Sequence, residues 1–175
     1  ARAQAAAIAP ASRVSAFIEI RPDSTVLFRS AFIEGGQGIF TAMAQIVGEE
    51  LDVDPANFTV EGAPPGPDYL LVNGARFTGG SLSVRSSYEA MRKLGASARA
   101  MLLQAAAAQL EVPVDTLTTE PGRVIHAQSG RSLPYGDLAQ AAAALDVPEQ
   151  VTLRDSADFR WIGKPVARLD AHAKS

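Results

Sequence analysis

The chain has 175 residues, of which 47% are hydrophobic and 20% are charged, and these values are typical of one globular domain with or without an extension. Its formal net charge at pH 7 is −3, and its 16 lysine and arginine residues are scattered, which argues against binding to nucleic acid. The absence of cysteine excludes a thiolate-bound iron–sulfur cluster, and no apolar run is long enough to predict a membrane-spanning helix.

Residues 1–13 are predicted to form an N-terminal tail. The stretch Ala1–Ala7 is rich in small residues, as is the region around a signal-peptidase site, but the apolar region that precedes such a site is not present. Two interpretations stay open. Either an export signal has been removed, which would place the protein in the periplasm, or the stretch is a plain alanine-rich tail and the location is cytoplasmic.

The first predicted elements are two short strands within Val14–Phe28, separated by a turn at Arg21–Ser24. The glycine element Gly35–Gly38 follows. Apolar residues then recur at helical spacing, which predicts a helix of about 13 residues that ends near Glu50–Asp52. Phe58–Val60 is predicted to be the next strand.

A second glycine element, Thr78–Ser81, precedes the longest helical pattern of the chain, which is predicted to run from about Ser83 to Leu110. Two short strands are then expected at Leu117–Thr119 and Arg123–His126. A third helix is expected over Tyr135–Leu145.

This alternation of strands and helices over residues 14–150 predicts an α+β fold. We expect a two-layer α/β sandwich, in which a small mixed sheet carries helices packed on one face. Beyond Val151 no periodicity is strong. Residues 151–175 are therefore predicted to be an extended linker toward a following domain that this sequence lacks.

Both glycine elements lie directly before helices, where backbone N–H groups lack partners and the helix dipole is positive. Gln37, Ser81 and Ser83 add neutral hydrogen-bonding groups. Either element alone is most simply a tight turn, and the presence of two strengthens the case for a ligand. The glycine spacing and the strand-turn pattern do not match the dinucleotide fingerprint, and no lysine follows the glycines as a P-loop requires. A phosphate-bearing cofactor is the remaining hypothesis, and two unrelated turns are the alternative.

Other polar residues are weaker candidates. His126 and His172 have no companions at metal-ligand spacing, so no metal site is predicted. The pair Glu49-Glu50 is most simply a solvated helix end. Glu34 would be a general base only if the loop turned it inward, and Arg85 is a surface residue or a phosphate contact. No catalytic residue is assigned.

Three segments resemble the xanthine dehydrogenase and aldehyde oxidase family. Gly36–Gln45, together with Glu49–Leu51, resembles the Gly-Gln-Gly segment of that family. Thr78–Tyr88 is similar to the second pterin-binding segment, in the form found in the branch of the isoquinoline 1-oxidoreductase β subunits. Asp158–Asp170 resembles the lead-in to the next domain of that branch. One departure is Gly35, where the branch usually has methionine.

The resemblance implies that the chain is the N-terminal portion of a molybdenum hydroxylase large subunit. Such enzymes oxidise aldehydes or N-heteroaromatics with water as the oxygen source. The implied cofactor is molybdopterin, usually as its cytosine dinucleotide in bacteria. The implied cofactor-binding residues are Gly36, Gln37, Gly38, Gly79, Gly80, Ser81 and Ser83.

The implied partners are the remainder of the large subunit and a small subunit that holds the iron–sulfur clusters. The family's catalytic glutamate lies near the far end of the large subunit and has no counterpart in this sequence. We therefore expect the chain alone to be inactive. The alternative is a stand-alone, non-catalytic module that binds a cofactor or serves a structural interaction.

Overall fold

The computed structural model describes residues 10–72 and 74–170, and side chains from Val14 onward. Most of the predicted N-terminal tail and His172 lie outside the described residues. Helix α1 spans Pro10–Phe17. We expected a strand to begin within Val14–Phe17, and this was wrong. Phe17 is buried at the end of α1, where its ring stacks on Phe28 at 6.0 Å, and this tertiary packing favours the helix.

The first sheet contains three strands, β1 (Ile18–Ile20), β2 (Val26–Ser30) and β3 (Phe58–Gly62). Strands β1 and β2 are antiparallel, as the predicted hairpin requires, and Ile18 lies opposite Phe28. Strand β3 is parallel to β2 on its other side. The chain must therefore cross over between β2 and β3, and helix α2 makes this connection.

Helix α2 (Ile39–Leu51) and helix α3 (Leu82–Leu110) form the second layer. Both agree with the predicted helices to within about one residue. The two helices pack closely because Gly95 of α3 has no side chain: a Cβ atom there would lie 2.5 Å from the carbonyl oxygen of Val47. The close crossing of α2 and α3 brings their N-terminal glycine elements into one region of the molecule.

The second sheet is an antiparallel meander of β4 (Leu117–Glu120), β5 (Arg123–His126) and β6 (Arg131–Pro134), followed by helix α4 (Tyr135–Ala143). Strand β6 was not predicted because its sequence has no apolar alternation; it forms by pairing with β5. The α+β class is thus confirmed, with the strands divided between a mixed and an antiparallel sheet.

The hydrophobic core lies between the helices and the two sheets. Tyr135 is fully buried there, and its hydroxyl donates to the carbonyl oxygen of Leu51 at 2.9 Å, which ties α4 to the end of α2. Burial raises the pKa of the Tyr135 phenol well above its usual range. Other fully buried core residues are Val26, Phe28, Met43, Val47, Leu102, Ala106, Val124 and Leu138. Within the described part of the chain, no helix combines the length and hydropathy needed to span a membrane.

Candidate functional site

The first glycine element is organised by the carboxylate of Glu34. Its Oε1 accepts hydrogen bonds from the backbone N–H groups of Gly36 at 2.7 Å and Gly38 at 3.0 Å, and its Oε2 accepts from Phe40 at 3.1 Å. The carboxylate therefore satisfies N–H groups at the N-terminus of α2 that the helix itself leaves free. Burial raises the pKa of this carboxyl, but the three N–H donors outweigh burial and hold the pKa below its ordinary value.

Gln37 folds its side chain back onto the same loop. Its Nε2 donates to the carbonyl oxygen of Ile33 at 2.7 Å, and its Oε1 accepts from the N–H of Gly35 at 2.6 Å. An amide side chain has two donor hydrogens and two acceptor lone pairs, so one of each remains for a ligand. The sequence predicts that Gln37 binds a ligand, which stays a prediction, whereas its role in shaping the loop was missed.

The second glycine element begins α3 in an unusual conformation. Gly80 and Ser81 are both left-handed, with φ of 58° and 55°, and only glycine adopts this conformation without strain. Ser81 precedes the first residue of α3, yet its hydroxyl makes no capping hydrogen bond. A serine at a helix start normally caps the helix from an extended conformation. Ser81 departs from that arrangement in both its backbone conformation and its missing capping bond.

The two glycine elements are joined and line one cleft. The N–H of Ile33 donates to Thr78 Oγ1 at 3.0 Å, which connects the loops directly. The cleft between them has a volume of about 490 Å³. Its lining comprises Gln37, Gly38, Ile39, Ala42, Thr78, Gly79, Ser81, Ser83 and Val84. Gln37 and the Ser81/Ser83 pair are thus brought together, whereas Gly36 and Gly80 belong to the same loops without lining the cleft. That these residues bind a cofactor stays a prediction.

Large apolar side chains are exposed around this cleft. Ile33 is 67% exposed, Phe77 is 48% exposed and Val84 is 39% exposed. Ile33 neighbours the cleft through its hydrogen bond to Thr78, Phe77 directly precedes Thr78, and Val84 is part of the lining. We call these three residues the apolar rim. Exposed apolar residues that cluster around a polar cleft are typical of a surface that another molecule covers.

Arg76 holds the backbone behind the cleft. Its Nε donates to the carbonyl oxygen of Ala31 at 2.9 Å, and its Nη1 donates to those of Ala63 at 2.6 Å and Pro64 at 3.2 Å. The guanidinium fork thus ties together three separate parts of the chain, namely the end of the first sheet, the proline loop and the second glycine element. No sequence pattern predicts this contact, because it depends on tertiary arrangement alone.

The prediction that Glu49 and Glu50 form a solvated helix end was wrong. Both side chains are 0% exposed, because each carboxylate is compensated by donors from elsewhere in the fold. Glu50 binds Arg92 through hydrogen bonds of 2.8 and 2.6 Å, and Glu49 accepts backbone N–H groups from the C-terminal segment. Buried carboxylates are tolerated only with such partners. The signal that could have found Glu50 is its position on the helix face that packs against α3. Glu49 lies on a different face, which the C-terminal segment covers.

The remaining candidates have ordinary surroundings. His126 is buried, and its Nδ1 lies 2.7 Å from Ser129 Oγ. Among residues 10–72 and 74–170, no group of three or more His, Asp or Glu side chains is arranged to hold a metal ion. Arg85 is exposed near the start of α3.

Comparisons with known proteins give a consistent result. The family model described as the molybdopterin cofactor-binding domain matches residues 3–172. The chain is 35% identical over 147 residues to the β subunit of isoquinoline 1-oxidoreductase from Brevundimonas diminuta, covering 82% of this chain and 18% of that protein. It is 32% identical over 162 residues to a subunit of nicotinate dehydrogenase from Pseudomonas putida, covering 91% of this chain and 13% of that protein.

Among solved structures, the fold is similar to that of the copper- and molybdenum-containing CO dehydrogenase. The TM-score is 0.56 with 25% sequence identity, and the match covers 71% of this chain and 15% of that one. The chain therefore spans less than a fifth of the length of each of these three proteins.

Proposed function

The chain belongs to the molybdopterin cofactor-binding domain family, and we propose on this basis that it forms one wall of the cofactor site in a molybdenum hydroxylase large subunit. The whole enzyme would oxidise aldehydes or N-heteroaromatic compounds with water as the oxygen source. This chain would contribute contacts to the pterin and its phosphate but not the catalytic base. The observation that carries the proposal is the single cleft lined by both glycine elements.

The donor set of the cleft suits an uncharged pterin ring linked to a phosphate. Every lining side chain is neutral, and the hydroxyls of Thr78, Ser81 and Ser83 can both donate and accept. A Cβ atom at Gly38 would meet no atom within 4 Å, so the cleft is open beside this glycine. The volume of about 490 Å³ lies within the range of small-molecule sites. By the chemistry of its donors and by its size, the cleft fits the cofactor.

Molybdopterin, when bound, supplies the molybdenum centre at which the substrate is oxidised. The residues of this chain would bind and orient it. Gln37 would use its remaining donor and lone pair for the pterin ring, as the chemistry of its loop allows. Ser81 and Ser83, beside the first turn of α3 and the positive end of its dipole, would hold the phosphate. Gly36 and Gly80 would act indirectly by setting the shape of the two loops, and Gly79 would contribute its backbone.

The partners follow from the same proposal. The apolar rim would be covered by the remainder of the large subunit, which would exclude water from the cofactor. The family resemblance implies that the iron–sulfur clusters would lie in a separate small subunit, and these 175 residues contain no cysteine that could ligate one. We assign residues 14–150 to the cofactor-binding domain and residues 151–175 to the connection toward the rest of the large subunit. The cofactor would be the cytosine dinucleotide form.

The decisive experiment measures the cofactor in the native polypeptide that contains this sequence. Purified protein should contain molybdenum and release CMP on acid hydrolysis. The double variant Ser81→Ala/Ser83→Ala should lose most of its molybdenum and most of its releasable CMP. Ser86→Ala is the matched control, because Ser86 lies on the same helix and its hydroxyl donates to the carbonyl oxygen of Leu82 instead of lining the cleft. Equal molybdenum content in the double variant and the wild type would contradict the proposed site.

We further propose that the assembled enzyme is periplasmic, on the basis of the small-residue composition of Ala1–Ala7. Fractionation of the native host separates this location from the cytoplasmic alternative. Activity confined to the spheroplast fraction would contradict the periplasmic assignment.

A further inference from the structure

The segment Val151–Asp170, which we call the C-terminal strap, follows helix α2 in the opposite direction. Three polar side chains of α2 face it at four-residue spacing, namely Thr41, Gln45 and Glu49, and residues at this spacing share one face of a helix. Each of the three binds backbone groups of the strap. Together they form a polar track that spans about 12 Å of the helix.

Glu49 is the first contact of the track. Its carboxylate accepts the backbone N–H groups of Arg160 at 3.0 Å, Trp161 at 2.7 Å and Ile162 at 3.0 Å. Three successive N–H groups on one buried carboxylate form a charge-assisted contact of the stronger kind. The three hydrogen bonds come from backbone atoms, so they fix the path of the strap, and the Arg154 guanidinium, 3.7 Å from the carboxylate, adds an ion pair.

The next contacts follow in order along the helix. Gln45 Nε2 donates to the carbonyl oxygens of Trp161 at 2.9 Å and Lys164 at 3.2 Å. Thr41 Oγ1, one turn closer to the N-terminus of α2, accepts from the N–H of Leu169 at 3.1 Å. The strap is thus directed toward the glycine element that begins α2.

A cluster of buried charges holds the other end of the strap. The carboxylate of Glu50 accepts the N–H of Arg154 at 3.2 and 3.0 Å, and Arg92 donates both to this carboxylate and to the carbonyl oxygen of Arg154. Asp52 accepts from Arg160 Nη1 at 2.7 Å. The contacts of Arg154 therefore anchor the strap before it reaches the track, and the Arg160 side chain adds a contact where the track begins.

Arg168 lies where the strap meets the first glycine element. Its Nη1 donates to the carbonyl oxygen of Gly36 at 2.8 Å, and its Nη2 lies 3.6 Å from the carboxylate of Glu34. Asp170 orients the guanidinium through two hydrogen bonds of 2.9 Å. Gly36 has φ of 104°, a conformation reserved for glycine, so this part of the loop has a large conformational freedom to lose on ordering.

We propose that Arg168 is a positioning residue of the cofactor site. Arg168 contacts Gly36 and Glu34 and thereby stabilises the conformation of the first glycine element. The polar track of α2 fixes the path of the strap and so places Arg168 beside this element. This proposal rests on the proposed function, because it assumes that the cleft binds the cofactor. Arg168 would then support the cleft although it is not one of the lining residues. It also makes the strap part of the site.

The first test follows hydrogen–deuterium exchange in the native polypeptide prepared without cofactor. Arg168→Gln should raise the exchange rates of the Gly35, Gly36, Gly38 and Phe40 amides by about threefold to tenfold, the loss expected for a half-exposed charged contact. Arg168→Lys keeps the charge but not the fork, and should lie between the wild type and Arg168→Gln. Arg131→Gln is the matched control, because its guanidinium contacts Ser129 in the turn between β5 and β6. Unchanged exchange at the four amides in Arg168→Gln would overturn the proposal.

The second test measures molybdenum in the same polypeptides after expression in a host that makes the cofactor. Arg168→Gln should retain about a third or less of the wild-type molybdenum, whereas Arg131→Gln should retain all of it. A loosened loop with full molybdenum content would overturn the positioning role and leave the proposed function intact. A wild-type protein without molybdenum would overturn both, while the exchange data would still report whether Arg168 restrains the loop.

Discussion

Replacing Ser81 by glycine should stabilise the fold and weaken the cofactor site at the same time. Ser81 has φ of 55° and ψ of 27°, and a left-handed conformation costs an L-residue about 1–2 kcal/mol. Glycine removes this strain but loses about 0.5–1 kcal/mol more conformational entropy on folding. No capping hydrogen bond is lost, because the Ser81 hydroxyl makes none. The free energy of unfolding should therefore rise by about 0.5–1 kcal/mol.

Glu111→Gly is the matched control. Glu111 has φ of 55° at the C-terminal end of the same helix, about 45 Å from Ser81 along its axis. Urea unfolding should give a higher free energy of unfolding for both variants than for the wild type. The increase should be somewhat larger for Glu111→Gly, because this change also removes an acidic group from the negative end of the helix dipole. Only Ser81→Gly should lower the molybdenum content of the native polypeptide, by about fivefold for one lost hydrogen bond.

Two results would refute this reasoning. If Glu111→Gly is stabilised and Ser81→Gly is not, the backbone of Ser81 is not strained in solution. If Ser81→Gly is stabilised and keeps its full molybdenum content, the hydroxyl does not contact the cofactor. Either result is informative because the two variants make the same backbone change at opposite ends of α3.

Three further predictions concern the first loop and the chain as a whole. Gln37→Leu should lower the cofactor content and also raise the exchange rate of the Gly35 amide, because the side chain loses both its ligand contact and its hydrogen bond to the loop. An unchanged exchange rate would show that the loop does not need the side-chain amide of Gln37. The pKa of Glu34 is held below its ordinary value of 4.5, so its contribution to stability should be complete above that pH and be lost as the pH falls through the folded pKa. Amide protection factors at Gly36 and Gly38 would report this loss, and Glu34→Gln should abolish the pH dependence. Finally, the isolated 175-residue chain should show no dehydrogenase activity with aldehydes or N-heterocycles and a dye acceptor, and turnover by the chain alone would contradict this expectation. Light scattering of the same chain should show association through the apolar rim, and a clean monomer would contradict that expectation.

The helices could be predicted from the sequence, whereas part of the strand arrangement could not. Helix α2 follows Gly38, which has φ of 83°, and its apolar residues repeat at helical spacing, so both its start and its face are encoded locally. Strand β6 has no such local signal, since Arg131–Pro134 becomes a strand only through its partner β5. The last turn of helix α1, Val14–Phe17, was assigned to a strand because aromatic and β-branched residues favour strands locally, whereas in the fold Phe17 packs on Phe28 from the end of the helix.

The residues of the cleft could be found from the sequence, but their supports could not. The family resemblance, confirmed by the match over residues 3–172, identified Gln37, Ser81 and Ser83, and the structure brings these to one cleft. The supporting roles of Arg76 and Arg168 were not predicted, because each binds backbone carbonyl groups that are distant in sequence. Contacts of this kind produce no characteristic residue spacing in the sequence.

The carboxylate of Glu34 explains why the two glycine elements are not equivalent. The rule that a glycine before a helix marks an anion site assumes that the N–H groups are free. In the first element Glu34 already binds three of them, so the loop carries its own negative charge beside the cleft. A phosphate placed there would meet a like charge, and the guanidinium of Arg168, 3.6 Å from the carboxylate, offsets that repulsion. The shape of this loop and its compatibility with an anionic cofactor therefore depend on the same arginine.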